Sequence, residues 1–329
     1  MKKICAWLLI LIMACTMTGV AEEEMNLKYR SLGEDLYRLG DTGYIIEHWR
    51  NFIGDDQMIR NISRNAQQYN TYIPLDGTVK KYVYFIESPR CVNMAGDLSG
   101  ENEIYVKIRD EFETTATGTL ALDHYTDYTK RFYVTDHHWN HIGSYKAYCD
   151  IIDMMFGPEE EKIVPIEEVV FEDIPFNGSF HSMLGYSRST ELFAVYRFPD
   201  FVPYTVKVNG SPAKSYGNGD RYFSGKYQRA TVYNHYSGFY GGDRGELILK
   251  TNRPEKKTLL LFSNSYSNAV NLLLLQHYDA VYAIDPRFYE KEMGKKFNAQ
   301  KYIEQNEIDD VLILGDASFF VRTFGLSGR

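Results

Sequence analysis

Leu259-Leu260-Leu261-Phe262 followed by Ser263-Asn264-Ser265-Tyr266-Ser267 sets a short apolar run against a polar turn. Four apolar residues bounded by turn-forming residues read as a buried strand. The chain then repeats the alternation. Asn268–Gln276 reads as an apolar helix, Ala280–Ile284 as a second strand ending at Asp285-Pro286-Arg287, about Tyr289–Gln305 as a helix, and Asp310–Leu314 as a third strand. Strands and helices alternating at this length imply an α/β fold with a parallel sheet covered by helices. Ligands of such sheets bind at the carboxyl ends of the strands, and Ser265 sits just past one. Its hydroxyl is then exposed, with backbone N–H groups nearby that can stabilise a developing oxyanion. The competing reading makes Ser265 or Ser267 a helix N-cap.

Working toward the amino terminus, Gly143–Phe156 has helical spacing, with Tyr145, Tyr148, Cys149, Ile152 and Phe156 on one side, and Gly157-Pro158 stops it. Arg131–Val134, Glu103–Ile108 and Tyr82–Glu87 read as strands, Asn61–Tyr69 as a helix, and Asn26–Trp49 as a β-rich entry. Between about 164 and 250 the composition shifts to Gly, Tyr, Ser and Asn with short alternating runs such as Tyr204–Val208 and Glu246–Leu249. Helical periodicity is scarce there and aromatics are frequent, which predicts a β-rich insertion in place of disorder.

The chemistry concentrates in Asp136-His137-His138-Trp139, directly after Arg131–Val134. Asp136 and His138 are two apart and point to the same side of an extended segment, so the carboxylate is placed to hold the imidazole tautomer. With Ser265 as nucleophile and His138 as general base, the three supply an activated hydroxyl. Trp139 would wall the site. A buried polar loop is the bland alternative. His137 and His141 have the spacing of a zinc-binding helix, but His138 stands where a metalloprotease needs Glu, and no third ligand is evident. Gly315-Asp316-Ala317-Ser318 reads as a turn. Arg287, past a strand end, is either a rim residue for an anionic ligand or one half of a structural ion pair.

Composition narrows the classes. The chain has 329 residues, 44% apolar, and a net charge of -8 with no long basic run, which argues against nucleic acid as a partner. The 27 tyrosines suit sugar contacts, each ring offering an apolar face and a hydroxyl; Tyr222, Tyr227, Tyr233, Tyr236 and Tyr240 of the insertion are candidates. Lys2-Lys3, the apolar Ile4–Ala14 and the small residues Gly19-Val20-Ala21 read as a cleaved secretion signal over residues 1–21, leaving 22–329 as one domain. Lipid anchoring at Cys15 is a second reading of the same leader. Cys91 and Cys149 then remain, as a disulfide or as two buried thiols. No cofactor motif is apparent.

Thr135-Asp136-His137-His138-Trp139-Asn140 followed by Gly143 resembles the block that names the bacterial DHHW protein family, itself similar to the SGNH-like domains of alginate O-acetyltransferases. The likeness continues at Asn264-Ser265-Tyr266 and through His277-Tyr278 to Ile284-Asp285, Arg287 and Tyr289. It implies an SGNH-hydrolase-like three-layer α/β/α sandwich with a parallel sheet, permuted catalytic blocks and the β-rich insertion. It assigns the catalytic roles to Asp136, His138 and Ser265; beside them, Trp139, Tyr266 and Arg287 are the expected substrate contacts. The activity implied is an extracytoplasmic O-acetyltransferase or acetylesterase acting on a cell-envelope or secreted polysaccharide. A transferase would need a membrane acyltransferase partner as acetyl donor. Asn264 departs from the Asp often found before an SGNH serine, and this departure supports the alternative of an inactive carbohydrate-binding or envelope-assembly protein of the same fold.

Overall fold

The computed structural model describes residues 25–49, 56–77, 79–98, 100–186, 189–226, 234–322 and 324–327. The expected leader, Cys15, Tyr227 and Tyr233 lie outside them. Strands β1 (Tyr29–Gly33), β2 (Leu36–Leu39) and β3 (Ile45–Glu47) form a small antiparallel entry sheet. β4 (Lys80–Ile86) and β5 (Ala116–Leu120) belong to the main sheet. The hairpin β6 (Glu167–Pro175) and β7 (Leu192–Arg197) stands apart. Then come β8 (Thr205–Val208), β9 (Ser211–Ala213), β10 (Glu246–Lys250), β11 (Thr258–Ser263), β12 (Ala280–Ile284) and β13 (Asp310–Asp316). The main sheet runs β5-β4-β13-β11-β12-β10-β8-β9. Its first five strands are parallel, and β10, β8 and β9 continue it antiparallel.

The parallel strands β4, β11, β12 and β13 are buried on both faces, which is why they read as largely apolar runs. In β4 the period of two divides the residues between layers. Tyr82 and Tyr84 send their hydroxyls to the Met155 carbonyl and the Asp150 carboxylate of the helix His141–Phe156. Lys81 faces the other layer and caps the helix Asp56–Tyr72, its ammonium donating to the Ile73 carbonyl at 2.8 Å. On that same side Phe262 of β11 packs against Tyr69 and Phe297. The result is a three-layer α/β/α sandwich.

Several local expectations are corrected. Glu103–Glu111 is a helix, because Asn102 caps the Ile104 and Tyr105 N–H groups and Ile104 and Ile108 bury one stripe. Arg131 ends the helix Tyr125–Arg131, and Phe132 makes only an isolated bridge to Trp139. The helix expected over Tyr289–Gln305 breaks into Tyr289–Met293 and Ala299–Asn306, with Gly294 at φ 67° between them. Asn268–Gln276 is a 3₁₀ turn, Ser265–Ala269, leading into the helix Asn271–Leu275. The insertion is less separate than its composition suggests. Its described residues hold three short helices, Ser179–Met183, Gly219–Phe223 and His235–Tyr240, and its last three described strands extend the main sheet. Cys91 is buried, Cys149 is half-buried, and both are free thiols.

Candidate active site

The carboxyl ends of β4, β13, β11 and β12 lead into Ser88–Arg90, Asp316, Ser265 and Asp285, so the sheet gathers these groups along one edge. The Asp136 loop comes to this edge from the start of the helix His141–Phe156. Asn140 caps that helix by accepting from the Ile142 and Gly143 N–H groups. Gly143 is required there, since a Cβ would press on the Arg131 carbonyl and the Trp139 side chain.

Within this frame three side chains form one hydrogen-bonded chain. His138 Nε2 lies 2.7 Å from the Ser265 hydroxyl oxygen, and His138 Nδ1 lies 2.5 Å from Asp136 Oδ1. All three are buried, Ser265 being 8% exposed. Asp136 Oδ1 also accepts the His138 backbone N–H at 2.9 Å, and its Oδ2 accepts the Ser179 N–H at 2.6 Å. Burial pushes the Asp136 carboxyl up, but the His138 and His137 rings and these hydrogen bonds outweigh it and hold it below the usual carboxylate range. The aspartate is therefore ionised and shared between backbone donors and one imidazole. Such a carboxylate orients the ring and stabilises it when it takes a proton from a hydroxyl.

His137 is the wrong neighbour for this task. Its Nδ1 sits 2.8 Å from the Ser179 hydroxyl, and burial together with the adjacent His138 drives its pKa well below the ordinary value. Asp136, His137 and His138 are the one group of at least three metal-type ligands among the described residues. Asp136 and His138 are bonded to each other, however, and His141 turns away to Glu168 at 3.0 Å.

The insertion supplies much of the support. The Tyr236 ring stacks on the His138 ring at 4.0 Å and 10°. Its hydroxyl lies 3.0 Å from both the Ser265 and Tyr266 carbonyl oxygens and accepts the Trp139 indole N–H at 3.3 Å. Glu191 accepts the Val134 and Thr135 N–H groups just before Asp136, and burial raises its pKa to about 7. Gly178 approaches so closely that a Cβ there would collide with Thr135 and Asp136, which is what brings the Ser179 N–H within reach.

The residues expected to touch substrate are all engaged by other protein groups. Trp139 and Tyr266 are fully buried and meet edge to face at 5.3 Å, and the Tyr266 hydroxyl donates to the His137 carbonyl at 2.6 Å. They brace the loop from behind. Arg287 is engaged by Asp285 and Asp243, with NH2 2.5 Å and 2.9 Å from their respective Oδ2 atoms. Tyr236 and Tyr222 are buried packing residues and offer no face for sugar stacking. A cleft beside the serine turn is lined by Asp243, Asn264, Ser267, Asn268, Asn271 and Asp285, among others. Asp316 is no surface turn residue. It ends β13 fully buried, with Arg90 and Ser318 as partners. The Gly-Asp pair directly after a strand was its sequence signal, while nothing local marks Arg90.

No protein-family profile and no curated protein matches the chain. Among solved structures, a DHHW family protein from Eubacterium siraeum superposes with a TM-score of 0.66 at 16% identity, covering 90% of this chain and 95% of its own. PatB1 of Bacillus cereus with a sulfonyl adduct gives 0.61 at 17% identity, covering 89% and 98%. The O-acetyltransferase domain of Pseudomonas putida AlgJ gives 0.46 at 12% identity, covering 88% and 93%. The chain thus has the SGNH-like fold seen in the DHHW family protein and in PatB1.

Proposed function

We propose that the protein is an acyl-ester enzyme of the SGNH type in which Ser265 is the nucleophile, His138 the general base and acid, and Asp136 the group that orients His138. The observation that supports this most is the continuous Asp136–His138–Ser265 chain, with distances of 2.5 Å and 2.7 Å, at the carboxyl edge of a parallel sheet. Ser265 Oγ would bond to an acyl carbonyl carbon while His138 Nε2 takes the hydroxyl proton. The tetrahedral intermediate would collapse as His138 returns that proton to the departing oxygen. A second hydroxyl would then attack the acyl-serine, give its proton to His138, and leave with the acyl group as Ser265 is regenerated.

The likeness of the Asp-His-His-Trp block to alginate O-acetyltransferases makes acetyl the favoured acyl group and a polysaccharide hydroxyl the favoured acceptor. With water as acceptor the same site is an acetylesterase. The leader-like amino terminus fits an extracytoplasmic setting, where the acetyl donor comes from a membrane acyltransferase. No helix among the described residues is long and apolar enough to cross a membrane. The inactive alternative rests on Asn264 and on the unassigned oxyanion-hole residues; of these, Asn264 has a partner of its own, described below.

The test uses an aryl acetate together with a sulfonyl fluoride, since PatB1 carries a sulfonyl adduct. The wild type should hydrolyse the ester and gain one sulfonyl mass. Ser265→Ala should do neither. Equal turnover and equal labelling in the two proteins would end this reading.

A further inference from the structure

Asn264, next to the candidate nucleophile, uses both ends of its side-chain amide. Its Nδ2 donates to Asp316 Oδ1 at 3.2 Å, and its Oδ1 accepts the Tyr266 N–H at 3.3 Å. Its backbone carbonyl accepts from the Ser267 N–H at 3.2 Å and from the Ser263 and Ser267 hydroxyls at 3.1 and 3.3 Å. The turn is therefore clamped on both sides of Ser265. Asp316 is itself held: its Oδ1 accepts the Ser318 hydroxyl at 2.6 Å and its Oδ2 accepts Arg90 NH1 at 2.5 Å. Arg90 spans onward to Glu47 at 2.7 Å and lies over the Trp49 ring.

An amide suits this position for a simple reason. Residue 264 must donate to a carboxylate with one end and accept a backbone N–H with the other. An ionised carboxylate accepts only. It would also set two negative charges together in a buried site, which raises the pKa of one of them.

We propose that Asn264 is a positioning residue for Ser265, anchored by the buried Arg90–Asp316 ion pair, and that Asp316 is the reason residue 264 is an amide and not an acid. The proposal rests on Ser265 being the nucleophile. Asp316 faces Arg90, Asn264 and Ser318 directly, with His137, Arg287, the Tyr266 hydroxyl and the Cys91 thiol further out.

The experiment measures ester hydrolysis by Asn264→Asp, Asn264→Ala and the exchange variant Asn264→Asp/Asp316→Asn, with Ser265→Ala in parallel and urea unfolding of each. Asn264→Asp should lose about tenfold or more in kcat near pH 8 with KM little changed, and the deficit relative to wild type should shrink toward about pH 5.5, where the acid pair holds a shared proton. The exchange variant restores one donor and one acceptor across the 264–316 contact but gives up the charge that Asp316 offers Arg90, so it should be faster than Asn264→Asp yet stay below wild type. Asn264→Ala should be slow at every pH. Wild-type turnover in Asn264→Asp or Asn264→Ala, or an exchange variant no faster than Asn264→Asp, would overturn the proposal. If Asn264→Asp does not fold, the other two variants carry the test. A harmless Ser265→Ala would instead remove the functional reading beneath it.

Discussion

Gly178→Ala tests whether the insertion holds Asp136 in place. Gly178 has φ -85°, a value alanine adopts freely, so the substitution carries no backbone strain of its own. Without a clash it would stabilise the protein by about 0.4–1 kcal/mol through the unfolded chain. The new Cβ would instead lie 2.6 Å from the Thr135 carbonyl carbon and closer still to its oxygen, whereas real Cβ atoms stay beyond 3.0 Å. The Thr135 atoms are backbone and the third contact, at 2.4 Å, is the Asp136 Cβ, neither of which can swing aside, so the Gly178–Ser179 segment must retreat by about 1 Å to reach ordinary contact distance. At that separation the 2.6 Å bond from the Ser179 N–H to Asp136 is lost. Overpacking of this kind costs about 1–3 kcal/mol. A hydrogen bond to a charged group adds about 1.5–3 kcal/mol. The net loss is about 2–5 kcal/mol, readable as a lower urea midpoint at unchanged m-value. Ester turnover should fall with it, because Asp136 no longer holds His138 on Ser265. A Gly178→Ala protein with wild-type midpoint and wild-type turnover would refute the claim that the insertion braces the site.

Two further outcomes follow from the buried polar groups. Tyr236→Phe keeps the ring on His138 but removes the hydroxyl shared by Trp139 and the Ser265 and Tyr266 carbonyls, so it should cost about 1–3 kcal/mol in urea unfolding while the fold persists. Lys81 is fully buried, and burial lowers its pKa to about 8. Its folded pKa lies below its unfolded value of about 10.4, so between these pH values the unfolded chain binds more protons and stability rises with pH. The difference in urea midpoint between wild type and Lys81→Met should therefore change in favour of wild type from about pH 8 to pH 10.5, and a flat difference across that window would contradict it.

The sequence was most legible where structure is local. Leu259–Phe262, Ala280–Ile284 and Asp310–Leu314 stood out because a strand buried on both faces must be apolar throughout. The Asp136–His138 contact follows from a spacing of two. Glu103–Glu111 was misread because Ile-Tyr-Val-Lys-Ile satisfies either period, and the deciding signal was the capping Asn102 one residue earlier. The partners of Asn264 were beyond local reading. Strand order places β13 between β4 and β11, and only that order brings Asp316 and Arg90 beside residue 264. Trp139 and Tyr266 look like binding residues because aromatic side chains beside a site serve equally as its wall or its foundation, and burial alone tells the two apart.

The insertion is best understood as a structural part of the site, and the charge on Asp136 is the reason. A carboxylate with no exposed surface needs hydrogen-bond donors on both oxygens to stay ionised. One oxygen is served by His138, through ring and backbone, from within the same loop. The other is served by Ser179, 43 residues further along and inside the insertion. Glu191 adds a second tie by fixing the Val134 and Thr135 N–H groups, and Tyr236 supplies the flat surface on which the His138 ring lies. A loop that merely covered a finished site would leave these bonds intact when displaced. Here its displacement would strip a donor from Asp136 and the stacking partner from His138 together. The chain between β6 and β10 is thus fixed to the core by the same contacts that keep Asp136 ionised and His138 aimed at Ser265.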